Sequence, residues 1–338
     1  MIIGAPKEIK NHEYRIGLTP KEVQILSKDG HSAVSVESGA GTASGFFDND
    51  FKKASALITN QKFVWLSDII VKVKEPFEEE YELMKPGQII FAFFHLPANP
   101  ELKKIICEKN IRAIPYENIQ LADGSRPILK EMSKIAAEIS VDAVAHYLRK
   151  ENGGKGKLLK DAAITVVGCE GNLGKRALEI LKNRGCRLAG FDREEKLEIS
   201  DPSSDFCQKF VILDKNLKMS LKFSDAVICA AAAKGCGAPK IITRETLKLM
   251  EPGSVIIDPS IDEGGCCETS KPTTHDNPVY TEEGIIHYCV SNMPGSVPRS
   301  STPALVEKTL PYILEVANKG WEKALEENPV LAQAAKID

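Results

Sequence analysis

The stretch TVVGCEGNLGK, Thr165–Lys175, decides how the chain is read. An apolar, β-branched run passes into a glycine-rich turn and then into helix-forming residues. That strand–turn–helix order is the one that holds a dinucleotide pyrophosphate. The usual spacing of such turns is G-x-G-x-x-G. Here Gly168, Gly171 and Gly174 space as G-x-x-G-x-x-G, one residue longer. Gly168 is expected to make the tight turn and Asn172-Leu173-Gly174 to open the helix, whose unsatisfied N–H groups and positive dipole end suit a phosphate. The following strand, RLAGFD, ends at Asp192, where a carboxylate accepts hydrogen bonds from the adenosine ribose hydroxyls. Glu170 brings a negative charge into the turn, so its side chain is expected to point outward, away from the phosphates.

Working outward from this motif, strand-like and helix-like segments alternate along the whole chain, which predicts an α/β fold with parallel sheets. Before it lie the apolar runs SDIIVKV (Ser67–Val73), QIIFAFF (Gln88–Phe94) and IRAIPY (Ile111–Tyr116). After it come CRLAGFD, SDAVICA, GSVIIDP and IIHYCVSN. Thr19-Pro20 reads as an N-cap followed by an N1 proline, with Asp29-Gly30 closing that helix. A long helical pattern, free of glycine and proline, spans Lys130 to Lys150, and ENGGKGK (Glu151–Lys157) reads as a flexible break. The tail from Ser301 to Ile337 is again helical with an amphipathic period. The pattern implies a discontinuous arrangement: residues 1–128 with 301–338 form one domain, and residues 129–300 form the nucleotide-binding domain.

In open parallel sheets, ligands bind beyond the carboxyl ends of the strands. IIVKVKEP puts Ile70, Lys72 and Lys74 on one face by alternation, with Lys74 at the strand's exit; FAFFHLP leaves His95 at another. SVIIDPSIDEGG leaves a strand at Asp258 and carries Asp262 just beyond it, and IIHYCVSNMPG ends with Asn292. Each has a plain structural reading: a solvated lysine, a hydrogen-bonded histidine, a turn-forming aspartate. A cation, an imidazole, a carboxylate and an amide at several strand ends are harder to explain by packing alone, although their convergence in space is not visible from spacing. Tyr288 and Cys289 read as core or supporting residues.

Composition sets the remaining bounds. The chain has 338 residues, 43% hydrophobic and 27% charged, with a formal net charge of −3, which points to no nucleic-acid partner. No run reaches the roughly 18 apolar residues of a membrane span. MIIGAPKEIK has no basic region followed by a long apolar core, so no secretory signal is expected. The nine cysteines lack C-x-x-C spacing and read as free thiols of a cytoplasmic protein, and with scattered histidines no metal site is expected.

MIIGAPKEIKNHEYRIGLTP (Met1–Pro20), IVKVKEP, FFHL, SVIIDPSIDEGG, KPTTHDNPVY (Lys271–Tyr280) and HYCVSNMPGSVPRSST (His287–Thr302) closely resemble bacterial L-alanine dehydrogenases, a family that includes the nucleotide-binding first domain of proton-translocating transhydrogenase. The resemblance extends to about residue 330. It implies two Rossmann-like domains with the active site in the cleft between them, a homo-oligomer (hexamer or dimer), NAD as cofactor, and reversible deamination of L-alanine to pyruvate and ammonia. By the same resemblance, Arg15 would pair with the substrate carboxylate and Lys74 would hold the substrate's carbonyl and carboxylate oxygens. His95 would be the general acid/base, Asp262 would assist proton transfer, and Asn292 would lie beside the nicotinamide. The cofactor would further meet Ser133, Gly168, Gly171, Leu173, Gly174, Asp192, Ile261 and Met293. Arg193 could attract a 2′-phosphate, but the preceding Asp192 repels one, favouring NAD.

Three departures accompany the resemblance: the GCEGNLG loop itself, the loss of most of a short Gly-Val-Pro-Gly-Val segment within GGKGKLLKDAAITVVG (Gly153–Gly168), and a shorter C-terminal tail. They leave two alternatives open: an opine-type or other amino-acid dehydrogenase, and a catalytically weak NAD(H)-binding subunit.

Overall fold

In the computed structural model, which describes residues 1–28, 33–196, 207–212, 214–231 and 237–337, the chain divides into two units. The first comprises Met1–Met132 and Pro294–Asp338, the second Ser133–Met293.

The first unit is built on β1 (Ile2–Ala5), β2 (Ala33–Glu37), β3 (Leu57–Thr59), β4 (Ile69–Lys74), β5 (Ile89–Phe93) and β6 (Arg112–Pro115), in the spatial order β3-β2-β1-β4-β5-β6 and all parallel. This is the doubly wound order, with a topological switch where β4 lies against β1. The central strands β4 and β5 are buried along their whole length, as strands covered by helices on both faces must be. The 22-residue helix Pro298–Lys319 and two short helices after it complete the unit.

The second unit repeats the first five places of that order with β7 (Ala163–Val167), β8 (Arg187–Asp192), β9 (Cys207–Val211), β10 (Ala226–Cys229) and β11 (Val255–Ile257), and adds β13 (Ile285–Tyr288) and then β12 (Val279–Glu282) at one edge, giving β12-β13-β11-β10-β7-β8-β9. Parallel sheets are expected throughout, but this one is mixed, because β12 runs antiparallel to β13. The two join through Glu283 and Gly284, both at positive φ (54° and 77°), which is a hairpin turn rather than a helical crossover.

The helices differ from expectation at their ends. Thr19-Pro20 does open a helix, Pro20–Lys28, with the Glu22 carboxylate accepting from the Thr19 N–H and hydroxyl. Its expected close at Asp29-Gly30 lies outside the described residues. The long helix spans Pro127–Tyr147. ENGGKGK is not a loose break. Gly154 lies so close to the end of that helix that a Cβ would sit 2.1 Å from the Tyr147 carbonyl oxygen. Lys157 and Lys155 both pair with the buried Asp225 just ahead of β10, at 2.9 and 2.6 Å.

The glycine turn resolves its own spacing. Gly168, at φ 80°, ends β7, and an added Cβ would meet the Ala230 backbone at 2.6 Å, at the switch point between β7 and β10. The usual spacing then reappears one residue later as Cys169-x-Gly171-x-x-Gly174, with the helix Asn172–Asn183 starting inside it. Gly174 packs the helix onto the turn, and a Cβ there would lie 2.2 Å from the Gly168 carbonyl oxygen. At Gly171 the nearest atom is that same oxygen at 3.3 Å. Gly174→Ala is therefore expected to cost about 1–3 kcal/mol of stability by overpacking, and Gly171→Ala clearly less. Thermal unfolding of the two variants decides, and equal losses would contradict this account of the turn.

Candidate active site

The residues at the carboxyl edge of the first sheet converge. Gly17 lets the segment that follows β1 cross β4, since an added Cβ would lie 2.4 Å from the Val71 carbonyl oxygen. This crossing brings Arg15 into the interior, where it is 3% exposed. Its guanidinium is gripped by Glu13, Nε donating to Oε1 at 2.7 Å and Nη2 to Oε2 at 2.5 Å, while Nη1 reaches the Met132 sulfur at 3.2 Å.

Lys74 reaches this site by a route that alternation hides. In the pairing of β4 with β5, Ile70 lies opposite Ile90 and Val71 opposite Phe91, but Lys74 lies opposite Phe93. β4 therefore spends one extra residue, a β-bulge, between Val71 and Lys74. Ile70 and Lys72 keep one face, where Ile70 joins a core with Ile90 and Ala92 and Lys72 pairs with Glu80 at 2.8 Å. Lys74 is moved to the opposite face, that of Phe91 and Phe93, so the expectation that Ile70, Lys72 and Lys74 share a face is corrected. Its ammonium lies 6.0 Å from the Phe93 ring centroid.

His95 lies two residues past the end of β5, at φ 50°, a left-handed conformation uncommon for a residue with a side chain. The Glu117 carboxylate holds it there, accepting from the His95 N–H at 2.7 Å and from the Phe94 N–H at 3.1 Å. The imidazole stacks on Phe93, with centroids 6.1 Å apart and planes 15° apart. Phe93 thus touches both Lys74 and His95. Glu13 joins Lys74 to Arg15: burial opposes its ionisation, but the Arg15 guanidinium and the Lys74 ammonium outweigh burial and hold its carboxyl at about 2.

A depressed folded-state pKa contributes stability that is complete above the ordinary value of 4.5 and is lost as pH falls toward 2. Wild-type protein is therefore expected to lose more melting temperature below pH 4.5 than Glu13→Gln. Parallel curves for the two proteins would refute the assignment.

The expected cofactor residues lie in the second unit or at its boundary. Asp192, 3% exposed, ends β8 and accepts from the N–H groups of Glu170 at 2.9 Å and Arg193 at 2.9 Å, so it holds the glycine turn in place. The Arg193 guanidinium is exposed and turns to Glu195 at 3.2 Å. Glu170 does not point outward as expected: its carboxylate is 2% exposed and lies between Lys209 at 2.6 Å and Lys175 at 3.1 Å. Two cations neutralise it, which removes the conflict with a phosphate. Gly171 and Leu173 stand at the start of the helix; Ile261 is buried and Asp262 exposed in the short helical turn Pro259–Glu263. Asn292, at φ 54°, aims its N–H at the Asp262 carboxylate at 3.5 Å. Met293 is buried, its sulfur 3.8 Å from the Ser140 hydroxyl, and Ser133 lies on the long helix one residue after Met132.

Tyr288 and Cys289 are buried, and Cys107, Cys186, Cys229, Cys266, Cys267 and Cys289 carry free thiols. Among the described residues no group of three or more His, Cys, Asp or Glu could hold a metal ion, and no helix is long and apolar enough to cross a membrane.

Sequence reasoning missed Glu8, Glu13 and Glu117, the carboxylates that place the cations and the imidazole. Glu13 carried a usable signal, two residues from Arg15 in HEYR; Glu117 and Glu8 had none, since their partners are distant in the chain.

Comparison with known proteins matches residues 4–136 to the N-terminal domain, and residues 140–338 to the C-terminal domain, of the "Alanine dehydrogenase/PNT" family. An alanine dehydrogenase of Methanococcus maripaludis is 41% identical, over 98% of this chain and 91% of that protein. The solved structure of an L-alanine dehydrogenase superposes with a TM-score of 0.93 at 36% identity, covering 99% of this chain and 94% of that one. A transhydrogenase from Sinorhizobium meliloti shares the fold, with a TM-score of 0.80 at 22% identity over 93% of each chain.

Proposed function

The chain belongs to the alanine dehydrogenase/PNT family, and from that premise we propose that it catalyses the reversible, NAD-dependent oxidative deamination of L-alanine to pyruvate and ammonia. The observation that carries this reading is the grouping of Arg15, Lys74 and His95 about Glu13 and Phe93 in the first unit. A carboxylate, a polarisable carbonyl and a proton to be moved are what a small 2-oxo acid brings to such a group.

Arg15 binds the substrate carboxylate. Glu13 takes the Nε edge of the guanidinium and so sets the direction of the remaining donors, whose planar fork suits a carboxylate. The Lys74 ammonium stabilises the negative charge that develops on the carbonyl oxygen. His95 removes and returns protons as water adds to the imine of the oxidised substrate and ammonia leaves, a task suited to an imidazole near neutral pH. Asp262 assists proton transfer.

NAD fits the second unit. The glycine turn leaves no room for side chains at Gly168 and Gly174, the helix start offers N–H groups to the pyrophosphate, and Asp192 is a buried acceptor for the ribose hydroxyls. Ser133, Gly171, Leu173, Ile261, Asn292 and Met293 would hold the remainder. When bound, NAD would supply the acceptor for the hydride that leaves the substrate Cα. The pairing of Arg193 with Glu195 supports NAD over NADP. We further infer a cytoplasmic homo-oligomer, hexamer or dimer, acting on small molecules.

A screen of L-amino acids with NAD, followed by NADH absorbance, tests this reading. Alanine is expected to be the preferred substrate. Activity only with a bulkier amino acid, or only when pyruvate and an amino acid are joined, would replace it with another dehydrogenase. No turnover and no NADH binding at millimolar cofactor would leave a non-catalytic role.

A further inference from the structure

The bulge that carries Lys74 across the sheet has an identifiable cause. A bulged strand leaves backbone N–H groups without ladder partners, and buried N–H groups require acceptors. In β4 the Val73 and Lys74 N–H groups, which stand at the bulge, both donate to one carboxylate: Val73 to Glu8 Oε1 at 2.6 Å, and Lys74 to Glu8 Oε2 at 3.4 Å. Glu8 lies on the segment after β1, at the switch point, and is buried; Lys72 stands 3.3 Å from the same oxygen.

We propose that Glu8 is the positioning residue for Lys74: by accepting the Val73 and Lys74 N–H groups it maintains the bulge that moves Lys74 from the Lys72 face to the Phe93 face. The inference rests on the role assigned to Lys74 above. With Glu8 replaced by an apolar side chain, the unbulged register satisfies the backbone better. That register turns the Lys74 ammonium toward the Glu80 side of the sheet, away from Arg15 and His95. Glu8 touches no substrate and acts only through the strand.

Pyruvate binding to the NADH-loaded protein, followed by NADH fluorescence in ammonia-free buffer, provides the test through a double-mutant cycle of Glu8→Leu and Lys74→Met. Glu8→Leu is expected to weaken pyruvate about tenfold or more, with NADH affinity unchanged. Added to Lys74→Met, it is expected to weaken pyruvate no further, because both changes remove the same interaction. A merely structural role predicts additive losses, and additivity, or unchanged pyruvate binding in Glu8→Leu, overturns the proposal. If Glu8→Leu does not fold, Glu8→Gln runs the same cycle. It keeps one acceptor oxygen for two N–H donors, so a smaller loss that again vanishes on Lys74→Met is required. Wild-type protein that binds NADH but neither binds pyruvate nor oxidises alanine would instead defeat the proposed function itself.

Discussion

Replacing His95 by alanine is expected to lower kcat for alanine oxidation by about 10²–10⁴, the usual contribution of a positioned general acid/base, while NADH binds as in the wild type. His95 belongs to the first unit and the glycine turn to the second, so the two readouts are separable. His95 is held from two sides, its backbone N–H by Glu117 and its imidazole by the Phe93 ring. Its left-handed backbone places a strained residue at the sheet's edge, and such strain clusters where function requires it. Stopped-flow single turnovers and an NADH titration measure both quantities. Loss of NADH binding together with turnover would indicate a folding defect, and full activity in the variant would remove His95 from the mechanism.

The second large effect is expected at Arg15. Arg15→Met removes the partner of the substrate carboxylate and also leaves Glu13 buried without its guanidinium, an arrangement that costs about 3–5 kcal/mol when one member of a buried pair is lost. Both stability and kcat/KM should therefore fall. Arg15→Met combined with Glu13→Gln separates the two causes. Removing the uncompensated charge is expected to recover much of the melting temperature, while kcat/KM for pyruvate stays at least about a hundredfold below the wild type. Recovery of activity along with stability would show that Arg15 serves only the fold.

How much of this was legible depends on where the information lies. The long apolar runs of β4 to β8, β10, β11 and β13 stood out because buried parallel strands are continuous hydrophobic segments. Of the strands not singled out, β3, β9 and β12 lie at sheet edges, where exposed positions such as Leu57 break the pattern, and in β1 and β2 Gly4 and Ser35 interrupt the apolar run. ENGGKGK was misread because glycine marks both flexible chain and tight approach. Only the neighbouring Tyr147 carbonyl and Asp225 show which applies. Glu170 was misread for a similar reason, since Lys209 lies far from it in sequence.

By itself the sequence determined the α/β class, the place of the nucleotide turn, and the identities of the residues offered for chemistry, all properties carried by local composition and periodicity. Only the tertiary structure decided how those residues are aimed. Lys74 changes faces through a bulge stabilised by Glu8, Arg15 is oriented by Glu13, and His95 is held by Glu117. The glycine turn closes against Ala230 at the switch point. Except for Glu13, a near neighbour of Arg15 in the chain, the deciding partner is a backbone group or carboxylate brought in by sheet topology. Hydrogen-bond satisfaction in a buried interior depends on such partners rather than on the spacing of neighbours along the chain.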